Sequence, residues 1–237
     1  MKKPRRKTQD PKRHFDKARA RNYDRRIHQV IPGYATVHEL ARVAVGELVG
    51  GKGRVLIVGA GTGRETIDIA KTYPGLRLVG VDPSSAMIAK ARGNVAKAKL
   101  GRRVKLFEGL VGDLDDKGFD AATLILVMHF VADDGSKLKL LRAIGRRLKR
   151  GRPLILTDMF GERDDKAFRR LMDVWQRFQA ERGVERKDIK KGKVHIRKDI
   201  HLIAERRLAG LLRAAGFGAP EPFFRALVFG GWIAFKR

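Results

Sequence analysis

The chain has 237 residues, long enough for one α/β domain with a sizeable core. Of these residues 43% are hydrophobic and 33% charged, a composition typical of a globular and not of a disordered chain. It has no cysteine, which excludes disulfides, thiolate zinc sites and cysteine nucleophiles. It also has no apolar run of about 18 residues, so we expect a cytoplasmic protein with no membrane partner. Its 53 lysines and arginines against 26 acidic residues give a net charge of +27, which favours either a polyanion partner such as RNA or a generally basic proteome.

The first 52 residues divide into two parts. Residues 1–13 combine two prolines with basic side chains and almost no apolar ones, which predicts a disordered basic arm. Residues 14–52 show apolar residues at helical spacing over 15–29 and again over 36–48, and Pro32-Gly33 separates the two helices. We expect these helices to form an N-terminal lid.

A glycine-rich turn follows the first predicted strand. An apolar strand over 54–58 leads into G-A-G-T-G at 59–63, a helix over 63–72 and a second strand over 76–81 that ends in Asp82. Glycine lacks a Cβ, so this turn can approach a ligand closely, and an acid at the tip of the second strand can accept hydrogen bonds from two ribose hydroxyls. The pattern predicts a nucleotide-binding βαβ unit. The turn lacks the glycine spacing of NAD-binding folds and the lysine of a P-loop, which disfavours both.

The rest of the chain continues the alternation of strands and helices. Further strands are predicted at 103–107, 121–128 and 153–158, and further helices at 84–92, 134–149, 163–182 and 200–215. Two last apolar runs at 222–227 and 228–235 predict a closing antiparallel pair, or a bulge at Gly230-Gly231. We therefore expect a Rossmann-like, doubly wound α/β sheet over 53–237, mostly parallel with a C-terminal antiparallel pair, and a helical insertion over 160–200 on the substrate side.

Several motifs fall in the order known from one family. G-A-G-T-G at 59–63, V-D-P-S-S-A-M-I at 81–88, F-D-A-A-T-L-I-L-V-M-H-F at 119–130 and L-K-R-G-R-P-L-I-L-T-D at 148–158 resemble the class I S-adenosylmethionine (SAM) methyltransferases. Within that class, F-D…Y-D…I-P-G-Y at 15–34 and F-G-G-W-I-A-F-K at 229–236 look most like the carboxy-SAM synthases of tRNA wobble-uridine modification. The resemblance implies a methyltransferase whose cofactor is S-adenosyl-L-methionine.

The resemblance also implies which residues form the site. Asp82 would bind the ribose, Pro83 and the loop after the third strand would border the adenine, and the glycine turn would line the sugar and the methionine moiety. The implied cofactor-binding residues are Tyr34, Gly59, Ala60, Gly61, Thr62, Gly63, Asp82, Pro83, Met87, Leu110, Val111 and Val127. His129, on the turn after the fourth strand, is a candidate general base, or else packs under that loop and orients it. Tyr23 is a second catalytic candidate. We predict no metal site, because His195 and His201 have no partner at ligand spacing.

Four positions depart from the family pattern. Most of the class has an acid where this chain has Ile57, and an aspartate where it has Leu110, although Asp113 lies three residues further on. The carboxy-SAM synthases have asparagine at the position of Ile125, and an arginine that holds a carboxylate near the position of Lys193. A lysine does not reproduce a bidentate arginine, so these departures count against carboxy-SAM synthesis.

These observations leave more than one function open. The first hypothesis is methyl transfer from SAM to an unidentified small-molecule or RNA acceptor. A carboxy-SAM synthase-like enzyme and an aminopropyl transferase, for which an apolar residue at position 57 is typical, are alternatives within SAM chemistry. A non-catalytic methyltransferase fold that binds RNA through its basic surface is an alternative from another class.

Overall fold

A computed structural model describes residues 26–237. The predicted basic arm over 1–13, most of the predicted helix over 15–29, and Tyr23 lie outside these residues. Residues 26–30 are helical, and a turn at 31–33 separates them from the first complete helix, as Pro32-Gly33 predicts.

The described part of the chain alternates strands and helices as the sequence predicts. The helices are α1 Tyr34–Val49, α2 Arg64–Thr72, α3 Ser85–Lys97, α4 Ser136–Gly145, α5 Lys166–Glu181, α6 Arg186–Asp199 and α7 Glu205–Ala214. The strands are β1 Lys52–Val58, β2 Gly75–Asp82, β3 Val104–Glu108, β4 Ala121–Ile125, β5 Pro153–Met159, β6 Glu221–Ala226 and β7 Phe229–Phe235.

All seven strands form one mixed sheet in the order β3-β2-β1-β4-β5-β7-β6. Strands β1 to β5 are parallel, β7 runs antiparallel to β5, and β6 pairs antiparallel with β7. This arrangement confirms the predicted Rossmann-like sheet with a C-terminal antiparallel pair. The strand order reverses between β1 and β4, and in such sheets ligands bind at the carboxyl ends of the strands beside this point.

The sheet separates two hydrophobic cores, because alternate side chains of a strand point to opposite faces. Val55 and Ile57 of β1 face the core that α1 covers, and Leu56 and Val58 face the core that α4 and α7 cover. Helix α1 packs against β1, β4, β5 and α2. Strand β4 is buried along its whole length, as expected for a parallel strand covered on both faces.

Strand β4 is shorter than its apolar sequence predicts. It ends at Ile125 and not at Met128, because Leu126 takes a left-handed conformation with φ 58° and the chain turns there. Residues 128–130 then form a short 3-10 turn, which His129 occupies. A run of apolar side chains cannot reveal this turn, since the same side chains are buried on either side of it.

The C-terminal half agrees with the prediction in outline and differs in detail. The tight turn between β6 and β7 is at 227–228, between the two predicted apolar runs, and Leu227 there has φ 54°. Gly230 and Gly231 lie inside β7, and the register shift of this pair is in β6, between Pro222 and Phe224. Helix α6 lies within the predicted helical insertion over 160–200, but no separate helix was predicted for its residues. Only Ile196 of this helix is buried, so its apolar periodicity is too weak to be recognised.

Candidate functional site

The glycine turn connects β1 to α2 at the carboxyl edge of the sheet. Gly59, Gly61 and Gly63 all have positive φ, of 80°, 53° and 83°. A side chain on Gly59 would collide with Val127, which packs onto the turn from the end of β4. A Cβ on Gly61 would meet no atom nearer than the Gly59 carbonyl oxygen at 4.0 Å. The turn is therefore closed against β4 and open on the side where a ligand can approach its backbone.

Asp82 is the last residue of β2 and joins the two turns of the site. Its Oδ2 accepts a hydrogen bond from the Gly61 N–H at 2.9 Å, and its Oδ1 accepts one from the Ser84 N–H at 2.9 Å. Burial raises the pKa of this carboxyl, and the two hydrogen bonds oppose that rise. A carboxylate has about four lone-pair positions, so two of them remain for further donors. The residues present thus fit the diol of a ribose.

The loop after β3 lies beside Asp82, as the sequence predicts. The Gly109 N–H donates to the Asp82 carbonyl oxygen at 3.0 Å, which fixes the start of the loop. The Leu110 side chain is 52% exposed, and Val111 is buried. The carboxylate of Asp113 accepts a hydrogen bond from the Leu110 N–H at 3.2 Å, so it stabilises this loop through the loop's own backbone.

Other predicted cofactor residues are mostly buried around the two turns. Ala60, Thr62 and Met87 have exposed fractions of 5% or less, and Pro83 is half-buried between Asp82 and the N-cap of α3. The structure places all of them within the two turns or the first turn of α3. Their backbone atoms and their packing, more than their side-chain chemistry, shape this part of the site.

Tyr34 is the first residue of α1 and is buried. Its ring meets the rings of His28 and His38 edge-on, with centroids 4.8 and 4.5 Å apart. It lines a cavity of about 390 Å³ between α1 and α2, which Arg64 and Asp68 also line. Burial, reinforced by Arg64, lowers the pKa of His38 to about 4, so this imidazole is neutral near pH 7.

His129 forms a buried pair with Asp158, the acid near the end of β5. The Nδ1–H of His129 donates to Oδ1 of Asp158, because an ionised carboxylate can only accept. The exposed fraction of His129 is 8%, and its backbone carbonyl accepts the His201 N–H at 2.7 Å. This geometry fixes the ring and directs Nδ1 to Asp158, so Nε2 is the ring nitrogen left for another partner.

Lys137 is a fully buried lysine of α4 that supports the same turn. Its ammonium donates to the Met128 carbonyl oxygen at 2.7 Å. Burial lowers the pKa of Lys137, and the negative charges of Asp158 and Asp133 oppose that change. The lysine therefore stabilises the backbone that carries His129 and partly balances the charge of Asp158.

Sequence reasoning missed three residues with chemistry at this edge: Asp158, Lys137 and Glu65. Asp158 carried a usable signal, since it follows an apolar strand directly, as Asp82 does. Glu65 resembles an ordinary acid in the first turn of a helix, yet it is buried and its pKa rises to about 7 because of that burial. Lys193 lies exposed on α6, so nothing holds it as a carboxylate clamp.

Residues 26–237 lack a membrane-spanning helix and a metal-binding cluster. No helix in this range is both long and apolar enough to cross a bilayer. No group of three or more His, Asp or Glu side chains in the same range is arranged to hold a metal ion.

Comparison with known proteins agrees with this architecture. Residues 56–152 match the family model of a methyltransferase domain. The carboxy-S-adenosyl-L-methionine synthase of Klebsiella pneumoniae (strain 342) is 23% identical over 226 residues, which are 94% of this chain and 90% of that protein.

Solved structures share the fold. A putative S-adenosyl-L-methionine-dependent methyltransferase from Methanococcus maripaludis superposes with a TM-score of 0.65 at 21% identity, over 100% of this chain and 97% of that one. The S-adenosylmethionine-dependent methyltransferase SibL gives a TM-score of 0.60 at 18% identity over 84% of this chain. The match covers 55% of SibL, so the chain spans about half of that protein's length. These matches confirm the resemblance to the class I SAM-dependent methyltransferases, and with it the expectation of an enzyme whose cofactor is S-adenosylmethionine.

Proposed function

We propose that the protein transfers the methyl group of S-adenosylmethionine to an acceptor that binds beside β4 and β5. The observation that carries this proposal is the Asp82 carboxylate, which is fixed by two backbone N–H groups and still has lone pairs for a ribose diol. Gly61 leaves the space above the turn open to the same ligand. The loop at Leu110 and Val111, in which Leu110 is exposed, lies on the side of Asp82 where the adenine would bind. Tyr34, at the start of α1, lines the cavity between α1 and α2.

His129 is the general base of this proposal. S-adenosylmethionine supplies a methyl carbon bonded to a positively charged sulfur, so transfer needs placement and, for a hydroxyl or ammonium acceptor, removal of a proton. The Nε2 of His129 takes that proton, and the negative charge of Asp158 stabilises the imidazolium that forms. Asp158 also prevents the ring from turning, which a base on a loop requires.

A binding experiment tests the cofactor assignment. We expect S-adenosylmethionine and S-adenosylhomocysteine to bind the wild-type protein in isothermal titration calorimetry. Asp82→Ala should weaken both by about 1.5–3 kcal/mol, the usual loss for hydrogen bonds to a charged group. Glu47→Ala, at an exposed position on α1, is the control for loss of an acid elsewhere and should leave affinity unchanged. Equal affinities for wild type and Asp82→Ala would refute the assignment.

A labelled-methyl assay tests the acceptor. The chain should transfer the methyl label of S-adenosylmethionine to a component of a small-molecule extract or of total RNA, and the two fractions are assayed separately. His129→Asn should abolish transfer while S-adenosylhomocysteine binding stays intact. If His129 only shapes the loop, His129→Asn will instead reduce binding and transfer together.

RNA is the acceptor class that the charge favours. The net charge is +27, and α6 exposes a series of basic side chains: Arg186, Lys187, Lys190, Lys191, Lys193, Arg197 and Lys198. A basic surface of this kind binds phosphates with an affinity that falls steeply as salt rises. Part of the charge has a structural role, since Arg147 is buried and donates to the Gly112 carbonyl oxygen at 3.0 Å.

A carboxy-SAM synthase-like activity is the second candidate, and the relatives of that name favour it because they match along 94% of this chain. The exposed position of Lys193 counts against it. Incubation with S-adenosylmethionine and a cell extract, followed by mass spectrometry, distinguishes the two candidates. A nucleoside product that carries an added carboxylate on the methyl group would support the synthase, whereas demethylated cofactor and a methylated acceptor support methyl transfer.

A further inference from the structure

Glu65 is a buried carboxyl with an unused hydrogen-bonding capacity. It is the second residue of α2, directly after the glycine turn, and only 8% of it is exposed. Its Oε1 has no hydrogen-bond partner, and no ion pair within residues 26–237 includes it. Buried polar atoms in folded proteins nearly always have a partner, so a buried carboxyl oxygen without one requires an explanation.

The surroundings of Glu65 are also polar. Thr123, in the middle of β4, lies beside the carboxyl and its hydroxyl lowers the pKa of Glu65 as a weak hydrogen-bond donor, yet neither that hydroxyl nor Oε1 of Glu65 has a partner at full hydrogen-bond geometry. Ile57, the β1 residue aligned with Thr123, is apolar and supplies no charge. A carboxylate and a neighbouring hydroxyl can together accept several hydrogen bonds. An ammonium group, with three donors and a positive charge, is the chemical group that best complements such a cluster.

The strand order shows which end of the ligand reaches this cluster. Asp82 is the last residue of β2, and the glycine turn directly follows β1. Thr123 belongs to β4, which adjoins β1 on the side away from β2. A ligand whose ribose binds at Asp82 and whose adenine lies towards β3 therefore extends across the glycine turn towards β4. The end of S-adenosylmethionine remote from the adenine is the amino-acid end, which carries an ammonium group.

We propose that the carboxylate of Glu65 binds the ammonium group at the amino-acid end of S-adenosylmethionine, with the Thr123 hydroxyl as a second acceptor. This inference rests on the proposed cofactor binding and deepens it, because it adds Glu65, which none of the sequence motifs includes, to the glycine turn that was expected to line the methionine moiety. The burial that raises the pKa of Glu65 to about 7 is consistent with a carboxyl that becomes fully ionised only when a cation binds.

Two probes that differ only at the amino-acid end test the proposal. S-adenosylhomocysteine carries the ammonium group, and 5′-methylthioadenosine has the same adenosyl thioether without it. Glu65→Gln should weaken S-adenosylhomocysteine about 10- to 100-fold and change the affinity for methylthioadenosine less than about twofold, because a charge-assisted hydrogen bond is lost for one ligand only. Glu47→Gln, at an exposed position on α1, is the control for a charge change elsewhere.

A second variant and a second readout guard against misfolding. Thr123→Val should weaken S-adenosylhomocysteine less than Glu65→Gln does, again without effect on methylthioadenosine. Near pH 7, calorimetry of the wild type in buffers of different ionisation enthalpy should show proton release when S-adenosylhomocysteine binds, and Glu65→Gln should abolish that release.

The outcomes separate the inference from the proposed function. If the wild type binds neither probe, the cofactor assignment fails and this inference fails with it. If the wild type binds both probes and Glu65→Gln weakens both equally or neither, the cofactor assignment stands and the role of Glu65 is overturned. Selective loss of S-adenosylhomocysteine binding, with methylthioadenosine retained, supports the proposal.

Discussion

Glu65 should make the unliganded protein less stable as the pH rises towards neutrality. Burial raises its pKa from 4.5 to about 7, so the folded state holds a proton that the unfolded state releases between these values. At about 1.4 kcal/mol per pKa unit, this rise corresponds to about 3 kcal/mol of folding free energy. The contribution is fully present below pH 4.5 and is lost as the pH rises through about 7. Glu65→Gln has no carboxyl that can titrate at this position, so its stability should not fall for this reason over the same pH range.

The wild-type curve alone cannot isolate this effect, because His38 acts in the opposite direction. Burial lowers the pKa of His38 from 6.5 to about 4, so its contribution is present above pH 6.5 and is lost as the pH falls through about 4. The two groups nearly compensate over the pH range that they share. The quantity to measure is therefore the difference in stability between the wild type and Glu65→Gln, in which the His38 contribution cancels.

Urea unfolding from about pH 4.5 to about pH 8 gives that difference. We expect Glu65→Gln to gain about 3 kcal/mol relative to the wild type across this range, with most of the change between pH 5 and 7. Glu47→Gln, which changes an exposed acid, should follow the wild type. A stability difference between the wild type and Glu65→Gln that does not vary with pH would refute the burial argument.

Three further predictions concern the turn, the buried lysine and the arm. Gly59→Ala should weaken S-adenosylhomocysteine at least about tenfold by calorimetry, because its φ of 80° and the contact with Val127 both exclude a side chain. Gly93→Ala, whose added methyl group would meet no atom within 4 Å, should leave that affinity unchanged. Lys137→Met should lower the free energy of unfolding by about 1–3 kcal/mol in urea, because a buried carbonyl loses its donor; unchanged stability would mean that water replaces the ammonium. Removal of residues 1–13 should lower RNA affinity and reduce its salt dependence in a filter-binding assay while cofactor affinity stays the same, and equal RNA binding would exclude a role for the arm.

Local patterns in the sequence predicted most of the fold. Apolar runs of strand length, with amphipathic helices between them, gave the parallel strands, and the glycine turn with Asp82 predicted where the two turns of the candidate site meet. The prediction failed where no local pattern exists. Nothing in the sequence distinguishes the left-handed turn at Leu126 from continued strand. Helix α6 has too few buried side chains to show a helical period.

The chemistry near β4 and β5 was harder to predict for a related reason. Asp158 and His129 are 29 residues apart in the chain and meet only because β4 and β5 are adjacent. Glu65 is an unremarkable helix residue until the sheet places Thr123 beside its carboxyl. Contacts of this kind depend on strand order, which a single sequence indicates only through its overall pattern.

The two hydrogen bonds to the Asp82 carboxylate restrict where this scaffold can vary. One side chain fixes the shape of both turns at the proposed nucleoside site, so any change there that altered nucleoside recognition would also loosen the loops that surround it. The opposite half depends on a separate set of contacts, in which Asp158 and Lys137 hold the turn that carries His129. In the proposed function the two halves can therefore change independently: the first keeps the nucleoside, and the second determines which group is transferred and to what.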